Sequence, residues 1–572
     1  MTKGRRFPEG RGECHFSLSF LFREVGCGFP LSDPFSRTPS LMELTGSQLI
    51  GYRTSASSGV TFQAVNPATG EFLPTNFHEA TAAEIHEAME LAAAAYPLYR
   101  KTTPEQRAVF LETIAAEVEA LGDTLLEITQ AETGHPRPRC EGERGRATGQ
   151  ARGFAQYLRE GSSVDARIDL PQPDRQPLPK PDVRSLHVGV GPVVVFGASN
   201  FPLAISVFGA DTVSALAAGC PVVVKAHPGH PGTCEMVARV LLAAAKKCGL
   251  PEGVFSLIQG KTNDTGLALV RHPKTTAAAF TGSLKGGRAL FDAASARPVP
   301  IPFYAEMGSV NPVFLLPGAL RERAEGIASG FVQSLTLGVG QFCTNPGLVF
   351  GLDSGELSGF VDSVKSKAAA VPPATMLHAG IHQAYVSGVD SIQGMDGLAL
   401  VTKAEGADPA KNQAAAHVFT TDAAGLRSNP ALYEEVFGPV STIVNCRTPE
   451  EMEEFAAKLE GSLTATLHGT EEDLEAYRGL VELLETKVGR LIFNGYPTGI
   501  EVCHAMHHGG PYPAATHSHF TSIGSRCILR FVRPLCYQGW PQSALPPELQ
   551  NANPLGIMRL VDGVATREPV LS

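Results

Sequence analysis

The fold is decided by residues 192–225, which read PVVVFGASNFPLAISVFGADTVSALAAGCPVVVK. Two short valine-rich runs, Pro192–Gly197 and Pro221–Lys225, flank a helical stretch that ends at Gly219. Continuous apolar runs of this length are typical of strands that are buried on both faces, and a helix between two such strands indicates that they are parallel. The segment therefore predicts a parallel sheet with helices on both faces, and such sheets bind ligands at the carboxyl ends of their strands.

The same alternation extends outward from this segment in both directions. Prolines throughout residues 161–187 exclude a helix and favour an extended arm or hairpin. Residues 310–500 repeat the alternation and predict a second α/β domain. From apolar spacing and turn residues, the other predicted elements are helices at Thr81–Tyr96, Pro104–Thr133, Glu141–Glu160 and Ala204–Ala218, helices from about Thr233 to Lys247 and from Asp264, and strands at Val254–Ile258, Thr276–Phe280 and Ile528–Val532.

Composition excludes several classes of protein. Of the 572 residues, 43% are hydrophobic and 18% are charged, which is typical of a globular chain. The net charge of -10 and the lack of a basic stripe argue against nucleic-acid binding, and no apolar run approaches the roughly 20 residues that span a bilayer. Eleven irregularly spaced cysteines predict reduced thiols and a cytoplasmic location. Residues 1–41 resemble neither a secretory signal nor a transit peptide, so a disordered extension before Met42 is expected.

Two clusters contain candidate reactive groups. Cys343 lies between glycines in Gly340–Gly347, where exposed backbone amides could lower the thiol pKa. Glu306 follows the apolar run Ile301–Ala305, so its carboxyl group is expected to have a raised pKa and to act as a general base. The alternatives are a buried cysteine in a turn and an ordinary glutamate at a strand end.

Two further clusters follow predicted strands. Asn200 lies in Gly197–Pro202, where its side-chain amide could donate to an oxyanion. Phe280–Gly287 joins a strand to a helix, and the amides of that turn suit a pyrophosphate. Each pattern is weak alone, because turn asparagines and glycine-rich turns are common.

Together and in this order, the four clusters resemble the aldehyde dehydrogenase superfamily. The resemblance runs from about residue 46 to 550 and includes Val224-Lys225, Glu434–Pro439 and Asn494-Gly495. It implies a Rossmann-like cofactor domain, an α/β catalytic domain and a β oligomerisation arm. The implied limits are 42–160 and 188–309 for the NAD(P)-binding domain, 310–500 for the catalytic domain, and 161–187 with 501–572 for the arm and C-terminal tail.

The resemblance also implies the roles of individual residues. Cys343 would be the nucleophile, Glu306 the base that activates water, and the Asn200 side chain with the Cys343 amide the oxyanion hole. The implied cofactor-binding residues are Lys225 at the ribose, Gly282, Ser283 and Gly287 near the pyrophosphate, and Glu435 and Phe437 at the nicotinamide riboside. The sequence differs from the usual pattern of the family at two places. Ser309 stands where a second glycine is usual, and Leu284-Lys285 stand where a threonine and an acid are common.

The choice between NADP and NAD depends on one position. Members that prefer NAD commonly have an acid three residues after the lysine, and Pro228 occupies that position here. Without that carboxylate a 2′-phosphate meets no repulsion and Lys225 can attract it. The sequence therefore predicts that NADP is at least tolerated and is preferred over NAD.

A narrower resemblance concerns the substrate. Residues 489–506 and Gly509–Pro513 look like the 2,5-dioxopentanoate (α-ketoglutarate semialdehyde) dehydrogenases, which produce 2-oxoglutarate. A distal carboxylate needs a cation, and the helix register favours Arg146, although a surface arginine is the plainer interpretation. The predicted apolar lining of the aldehyde tunnel is Phe201, Ile205 and Phe208.

Three alternatives remain open. They are a broad-specificity aliphatic aldehyde dehydrogenase, a catalytically silent binding protein of the same fold, and a zinc hydrolase built on Cys503, His504 and His507. The favoured interpretation has no metal and no nucleic-acid or membrane partner. Protruding arm strands need a partner to cover their edges, so a homodimer or homotetramer is expected.

Overall fold

A computed structural model describes residues 43–570, and the predicted extension 1–41 lies outside the described residues. The strands are β1 (Gln48–Ile50), β2 (Arg53–Ser55), β3 (Thr61–Phe62), β4 (Phe77–His78), β5 (Arg167–Asp169), β6 (Val183–Gly189), β7 (Val193–Phe196), β8 (Val222–Lys225), β9 (Phe255–Ile258), β10 (Ala277–Thr281), β11 (Phe303–Glu306), β12 (Val313–Leu315), β13 (Leu348–Leu352), β14 (Ala374–Thr375), β15 (Leu398–Lys403), β16 (Gln413–Ala414), β17 (His417–Asp422), β18 (Val440–Cys446), β19 (Ser462–His468), β20 (Val488–Phe493), β21 (Val532–Gln538), β22 (Arg559–Val561) and β23 (Val564–Thr566).

The helices lie between these strands, with α1 to α4 preceding β5. They are α1 (Ala82–Tyr99), α2 (Pro104–Ala120), α3 (Gly122–Thr133), α4 (Arg137–Glu160), α5 (Ala210–Ala217), α6 (Pro231–Lys247), α7 (Asn263–Arg271), α8 (Leu284–Ser295), α9 (Pro317–Thr336), α10 (Gly355–Ala369), α11 (Ala379–Gln393), α12 (Ala423–Ser428), α13 (Pro449–Lys458), α14 (Glu471–Ala476) and α15 (Arg478–Glu485). No helix among residues 43–570 combines the length and the apolar character needed to cross a membrane.

Three larger sheets organise the described chain. The first has the order β11-β10-β7-β8-β9-β1-β2, in which β7 to β11 are parallel. The second has the order β15-β17-β18-β13-β12-β19-β20 and is parallel except for β15. The third, β21-β6-β5-β22-β23, includes β5 and β6, and the five prolines of the segment predicted to be an extended arm or hairpin lie in the connection between these two strands.

The predicted two-sided burial of the first sheet is confirmed. Val193 and Val195 pack into one hydrophobic cluster, whereas Val194 and Phe196 pack into another on the opposite face. Alternate residues of a strand point to opposite faces, so a strand covered on both sides must be apolar throughout. The carboxyl ends of β7, β8, β10 and β11 consequently meet at one edge, where Glu306 is the last residue of β11.

Two predicted helices have different limits. The helix expected at Ala204–Ala218 begins only at Ala210, because the Glu143 carboxylate accepts hydrogen bonds from the Leu203 and Ala204 amides and holds that segment in turns. The helix expected at Pro104–Thr133 is divided in two at Gly122, whose φ of 56° is left-handed.

The strand predicted at Ile528–Val532 is wrong for most of its length. Residues 525–531 form a 3-10 helix, and strand β21 begins at Val532. Two long-range interactions hold this segment in place. Arg530 forms a buried ion pair of 2.6 Å with Asp211, and Phe531 packs into the core. Local sequence does not reveal such partners, and here they override the apolar pattern.

Candidate active site

The Cys343 loop lies between α9 and β13 and depends on one glycine. Gly340 has a φ of 65°, and a Cβ at this position would collide with the backbone of Gly438 and Pro439. Glycine is therefore needed for both the conformation and the close approach. The loop presents the Cys343 side chain to a cavity of about 560 Å³ that is also lined by Asn200, Gly282, Glu306 and Glu435.

Asn311 fixes the Cys343 loop through hydrogen bonds from its side chain. It has a φ of 50°, and its side-chain amide donates to the carbonyl oxygens of Cys343 (2.8 Å) and Asn345 (3.1 Å). Its side-chain oxygen accepts hydrogen bonds from the hydroxyls of Ser309 and Thr464. Ser309, the departure from the usual glycine, is therefore part of a buried network that fixes the cysteine loop.

Backbone hydrogen bonds to the C-terminal segment 514–516 fix the chain on both sides of Glu306. Met307 donates its amide to the carbonyl of Ala514, and Thr516 donates its amide to the carbonyl of Ala305 (2.8 and 3.0 Å). Glu306 and Ala515 form an isolated antiparallel bridge. The Glu306 carboxylate is 4% exposed and accepts a hydrogen bond of 2.5 Å from the hydroxyl of Ser522.

His508 joins the thiol to the carboxylate, and the sequence does not single it out. Its Nε2 lies 3.4 Å from the Cys343 sulfur and 2.9 Å from Oε1 of Glu306. The ring is 1% exposed, and the backbone amide of His508 donates to the hydroxyl of Thr521. The only sequence signal is its place in a histidine-rich segment, which suggests a metal site rather than a part of this site.

The pKa values of the two predicted reactive groups move in the directions opposite to those expected. Burial raises the pKa of the Cys343 thiol well above its usual 9.0, and the nearby Glu306 carboxylate adds to this effect. Burial also raises the pKa of Glu306, but the charge of His508 and hydrogen bonds from His508, Ser522 and Cys343 outweigh it and lower the value to about 2. The thiol is thus protonated at rest, whereas the carboxylate is ionised.

Asn200 lines the same cavity as the reactive thiol. Its side-chain nitrogen donates to the carbonyl of Gln341 at 3.1 Å, and its backbone carbonyl accepts from Arg139 at 3.0 Å. A primary amide has two N–H groups, so the second remains available to the cavity. The structure therefore brings together the three predicted catalytic residues.

A neighbouring cavity of about 1180 Å³ contains three of the seven predicted cofactor residues. Lys225, Pro228, Ser283 and Gly286 line it, between α7 and α8. Burial lowers the pKa of Lys225 to about 8, and its ammonium donates to the carbonyl of Gly260 at 2.6 Å. Lys261 and Lys285 line the cavity as well, and among the described residues that line it there is no aspartate or glutamate. Such a cavity fits the anionic phosphates and the adenosine of a dinucleotide.

The remaining predicted cofactor residues divide into two groups. Gly282, Ser283, Glu435 and Phe437 line the cavity that contains the thiol. Burial raises the pKa of Glu435 to about 7, although a backbone hydrogen bond from Ser309 opposes this. Gly287 is buried instead, where a Cβ would meet Met307 at 2.6 Å, so it packs α8 against the chain after β11.

The predicted substrate residues are not all at a cavity. Arg146 lines a third cavity of about 1020 Å³, and its guanidinium lies 5.4 Å from the ring centre of Phe201. Phe201 also packs edge-on against Phe342, next to the nucleophile. Ile205 and Phe208 are 8% and 2% exposed and pack into the core, and neither lines any of these three cavities.

Comparisons with known proteins identify related sequences and the same fold. The alpha-ketoglutaric semialdehyde dehydrogenase 2 of Azospirillum brasilense is 51% identical over 92% of this chain and all of its own length. A protein named alpha-ketoglutaric semialdehyde dehydrogenase from Acinetobacter baylyi is 45% identical over the same shares. The crystal structure of HpcC from Thermus thermophilus has the same fold, with a TM-score of 0.75 and 23% identity over 88% of this chain and 94% of its own.

The match to a family model is equally extensive. Residues 52–514 match the model of the aldehyde dehydrogenase family. This range contains Asn200, Lys225, Glu306 and Cys343, as well as His508, and the predicted fold class is confirmed. The chain that carries this thiol, carboxylate and amide around one cavity belongs to the aldehyde dehydrogenase family, whose enzymes oxidise aldehydes with NAD(P).

Proposed function

We propose that this enzyme oxidises 2,5-dioxopentanoate, the α-ketoglutaric semialdehyde, to 2-oxoglutarate through a thioester on Cys343. The observation that carries the proposal is the single cavity shared by the Cys343 thiol, the Glu306 carboxylate and the Asn200 amide. The substrate is supported by the names of the two relatives that match over their whole length. It is also supported by a guanidinium, that of Arg146, in the adjoining cavity.

The first step requires the thiol to lose its proton. In the His508 tautomer that carries its proton on Nδ1, the Nε2 lone pair takes the proton of the Cys343 S–H, and the new Nε2–H then donates to the Glu306 carboxylate. Because Nε2 faces both groups, the ion pair of imidazolium and carboxylate offsets the cost of forming a buried thiolate. The sulfur bonds to the carbonyl carbon, and the oxygen of the thiohemiacetal takes the negative charge near the Asn200 amide.

The second half of the reaction releases the acid. NAD(P) held in the cavity lined by Lys225 would supply the hydride acceptor, and loss of the hydride from the substrate carbon would leave a thioester on Cys343. His508 releases the thiol proton to solvent before a water molecule attacks the thioester carbon, and the His508–Glu306 pair then takes the water proton, which later goes to the departing sulfur. The pKa of about 2 makes Glu306 a weak base on its own, so the pair rather than the carboxylate alone carries this function. The C–S bond breaks and the thiol is regenerated.

We further propose that NADP is preferred over NAD. Lys225, Lys261 and Lys285 line the cavity, whereas the carboxylate of Glu79 accepts hydrogen bonds from Lys261, Thr262 and Thr265. A 2′-phosphate would therefore meet three positive charges and no carboxylate among the described residues that line the cavity. Pro228, in place of the acid, supports the same preference.

Fluorescence titration tests the cofactor preference. We expect NADP to bind at least about tenfold more tightly than NAD, a difference of about 1.4 kcal/mol. The variant Pro228→Glu should weaken NADP binding by a similar factor, because the new carboxylate repels the 2′-phosphate, and should leave NAD binding nearly unchanged. NAD that bound tenfold more tightly to the unaltered enzyme would reverse the proposal.

A panel of aldehydes tests the substrate class. We expect kcat/KM for 5-oxopentanoate to exceed that for pentanal by about 10- to 100-fold, because a half-buried guanidinium favours a carboxylate. Arg146→Met should remove most of this advantage by raising KM for 5-oxopentanoate, with little effect on pentanal. Equal values for both aldehydes in the unaltered enzyme would favour the broad-specificity alternative.

We also propose that the enzyme is a cytoplasmic homodimer or homotetramer. Strand β20 lies at the edge of the second sheet and exposes Leu491 (37%) and Phe493 (43%). An exposed apolar edge strand favours association with another chain. All nine cysteines among the described residues are free thiols, which suits a reducing compartment. Light scattering on the purified enzyme measures the assembly, and a monomer at micromolar concentration would contradict it.

A further inference from the structure

One face of α4 borders a cavity that is larger than a five-carbon aldehyde requires. Arg146, Gly149, Gln150 and Gly153 line this cavity of about 1020 Å³, together with residues 500–504 and 524–525. Positions three, four and seven residues apart lie on one face of a helix, so the four residues form a single wall. The opposite wall comes from the chain that follows β20.

The glycines in this wall leave space open. A Cβ at Gly149 or at Gly153 would meet no atom within 4 Å, so no neighbour requires glycine at either position. Glycine also weakens the interior of a helix relative to alanine. The two residues therefore widen the cavity without serving the packing of α4.

Gln150 is a polar side chain without a partner inside this wall. It is 6% exposed, and its buried amide nitrogen donates to no acceptor among the described residues. Buried polar groups are nearly always hydrogen-bonded, and one that is not needs an explanation. Gln150 lines the cavity while its amide nitrogen is itself buried, so a rotation of the side chain would bring this unpartnered donor to a ligand in the cavity.

Arg146 lies one helical turn before Gln150 and also has a hydrogen-bond donor without an acceptor. Its Nε is buried without an acceptor, and no carboxylate among the described residues lies within 4.0 Å of its guanidinium. Its positive charge lowers the pKa of the Cys343 thiol, although burial and Glu306 outweigh this effect. The guanidinium is therefore within electrostatic range of the nucleophile. Glu501 is the one acid among the described cavity residues, and it is exposed at the rim.

We propose that Gln150 determines specificity for a 2-oxo acid: its amide donates to the 2-oxo oxygen while Arg146 binds the adjacent carboxylate. A 2-oxo carboxylate presents acceptor oxygens on neighbouring carbons, and donors four residues apart on one helix face can reach both. The inference rests on the proposed function and adds to it a reason to distinguish 2,5-dioxopentanoate from semialdehydes without the 2-oxo group.

The test compares two aldehydes that differ only in that group. In Gln150→Leu at saturating NADP, kcat/KM for 2,5-dioxopentanoate should fall by about 10- to 100-fold, mainly through KM, because one buried hydrogen bond is lost. The value for 5-oxopentanoate should change by less than about threefold. Gln150→Met, of similar length, is the second variant if the leucine variant folds poorly. Gln393→Leu, the same change at an exposed position of α11 that lines none of the three cavities, should alter neither value.

The other possible results distinguish a failure of the Gln150 proposal from a failure of the proposed function. An equal loss for both aldehydes, or no loss for either, would overturn the role of Gln150. A lower melting temperature with an unchanged ratio of the two kcat/KM values would mean that Gln150 only supports α4. If the unaltered enzyme oxidised pentanal as well as both acids, the proposed function itself would fail, and this is measured before any variant is made.

Discussion

Replacing Cys343 by alanine is expected to lower kcat by at least about 10⁴-fold, because no other described group near the substrate carbon can form the thioester. Among the described residues, the thiol is the only sulfur that lines the cavity with both Glu306 and Asn200, apart from the thioether of Met307. The rate of NADPH formation with 2,5-dioxopentanoate measures the effect, and NADP titration of the same variant checks that the cofactor cavity is intact.

Cys536→Ser is the matched control for this change. Cys536 is an exposed free thiol on strand β21, remote from the catalytic cavity, so its loss should change kcat by less than about twofold. Full activity in a Cys343→Ser protein would show that the thioester mechanism is wrong. Equal losses in both cysteine variants would instead mean that the substitutions impair folding rather than the chemistry.

Replacing His508 by glutamine should lower kcat by about 10²- to 10⁴-fold, the usual contribution of a general base. The thiol pKa is raised above 9.0, so a variant without a proton acceptor depends on the small thiolate fraction. That fraction grows tenfold per pH unit below the pKa, so the activity of the variant should rise steadily from about pH 6 to about pH 9. The unaltered enzyme, in which His508 accepts the proton, should show a flatter profile.

Alkylation of Cys343 by iodoacetamide provides a readout that is independent of turnover. We expect it to slow in His508→Gln by a factor similar to that in kcat, because both processes require the thiolate. His507→Gln is the control, since neither the thiol nor the Glu306 carboxylate has a hydrogen bond to that neighbouring ring in the described part of the chain. Unchanged alkylation and an unchanged pH profile in His508→Gln would remove His508 from the mechanism.

Features that depend on local sequence could be predicted well. The valine runs of β7 and β8 specify strands buried on both faces, and the loop around Gly340 marks the nucleophile because the backbone there approaches Gly438. The turn after β7 likewise places Asn200 at the carboxyl edge of the sheet. In each case the sequence pattern that marks the feature, an apolar run or a turn with glycine, is itself local, although Gly438 and Asn311 complete the packing of the cysteine loop.

Features that depend on distant partners could not be predicted. The apolar run before Glu306 predicts a raised pKa, but His508 and Ser522, 202 and 216 residues further along the chain, lower it. The helix predicted from Ala204 is shortened by the carboxylate of Glu143. Gln150 has no visible signal, because an unpartnered amide is a property of its surroundings rather than of its neighbours in sequence.

Because residues 514–516 pair with β11, the active site is complete only after the C-terminal part of the chain has folded onto this strand. Glu306, Cys343 and His508 come from three distant parts of the chain, and contacts across 165 to 216 residues must form before they meet. Non-local contacts of this kind are completed late in folding. A nascent polypeptide would thus acquire its nucleotide-binding core while still chemically inert, and turnover would begin only once its last portion had docked.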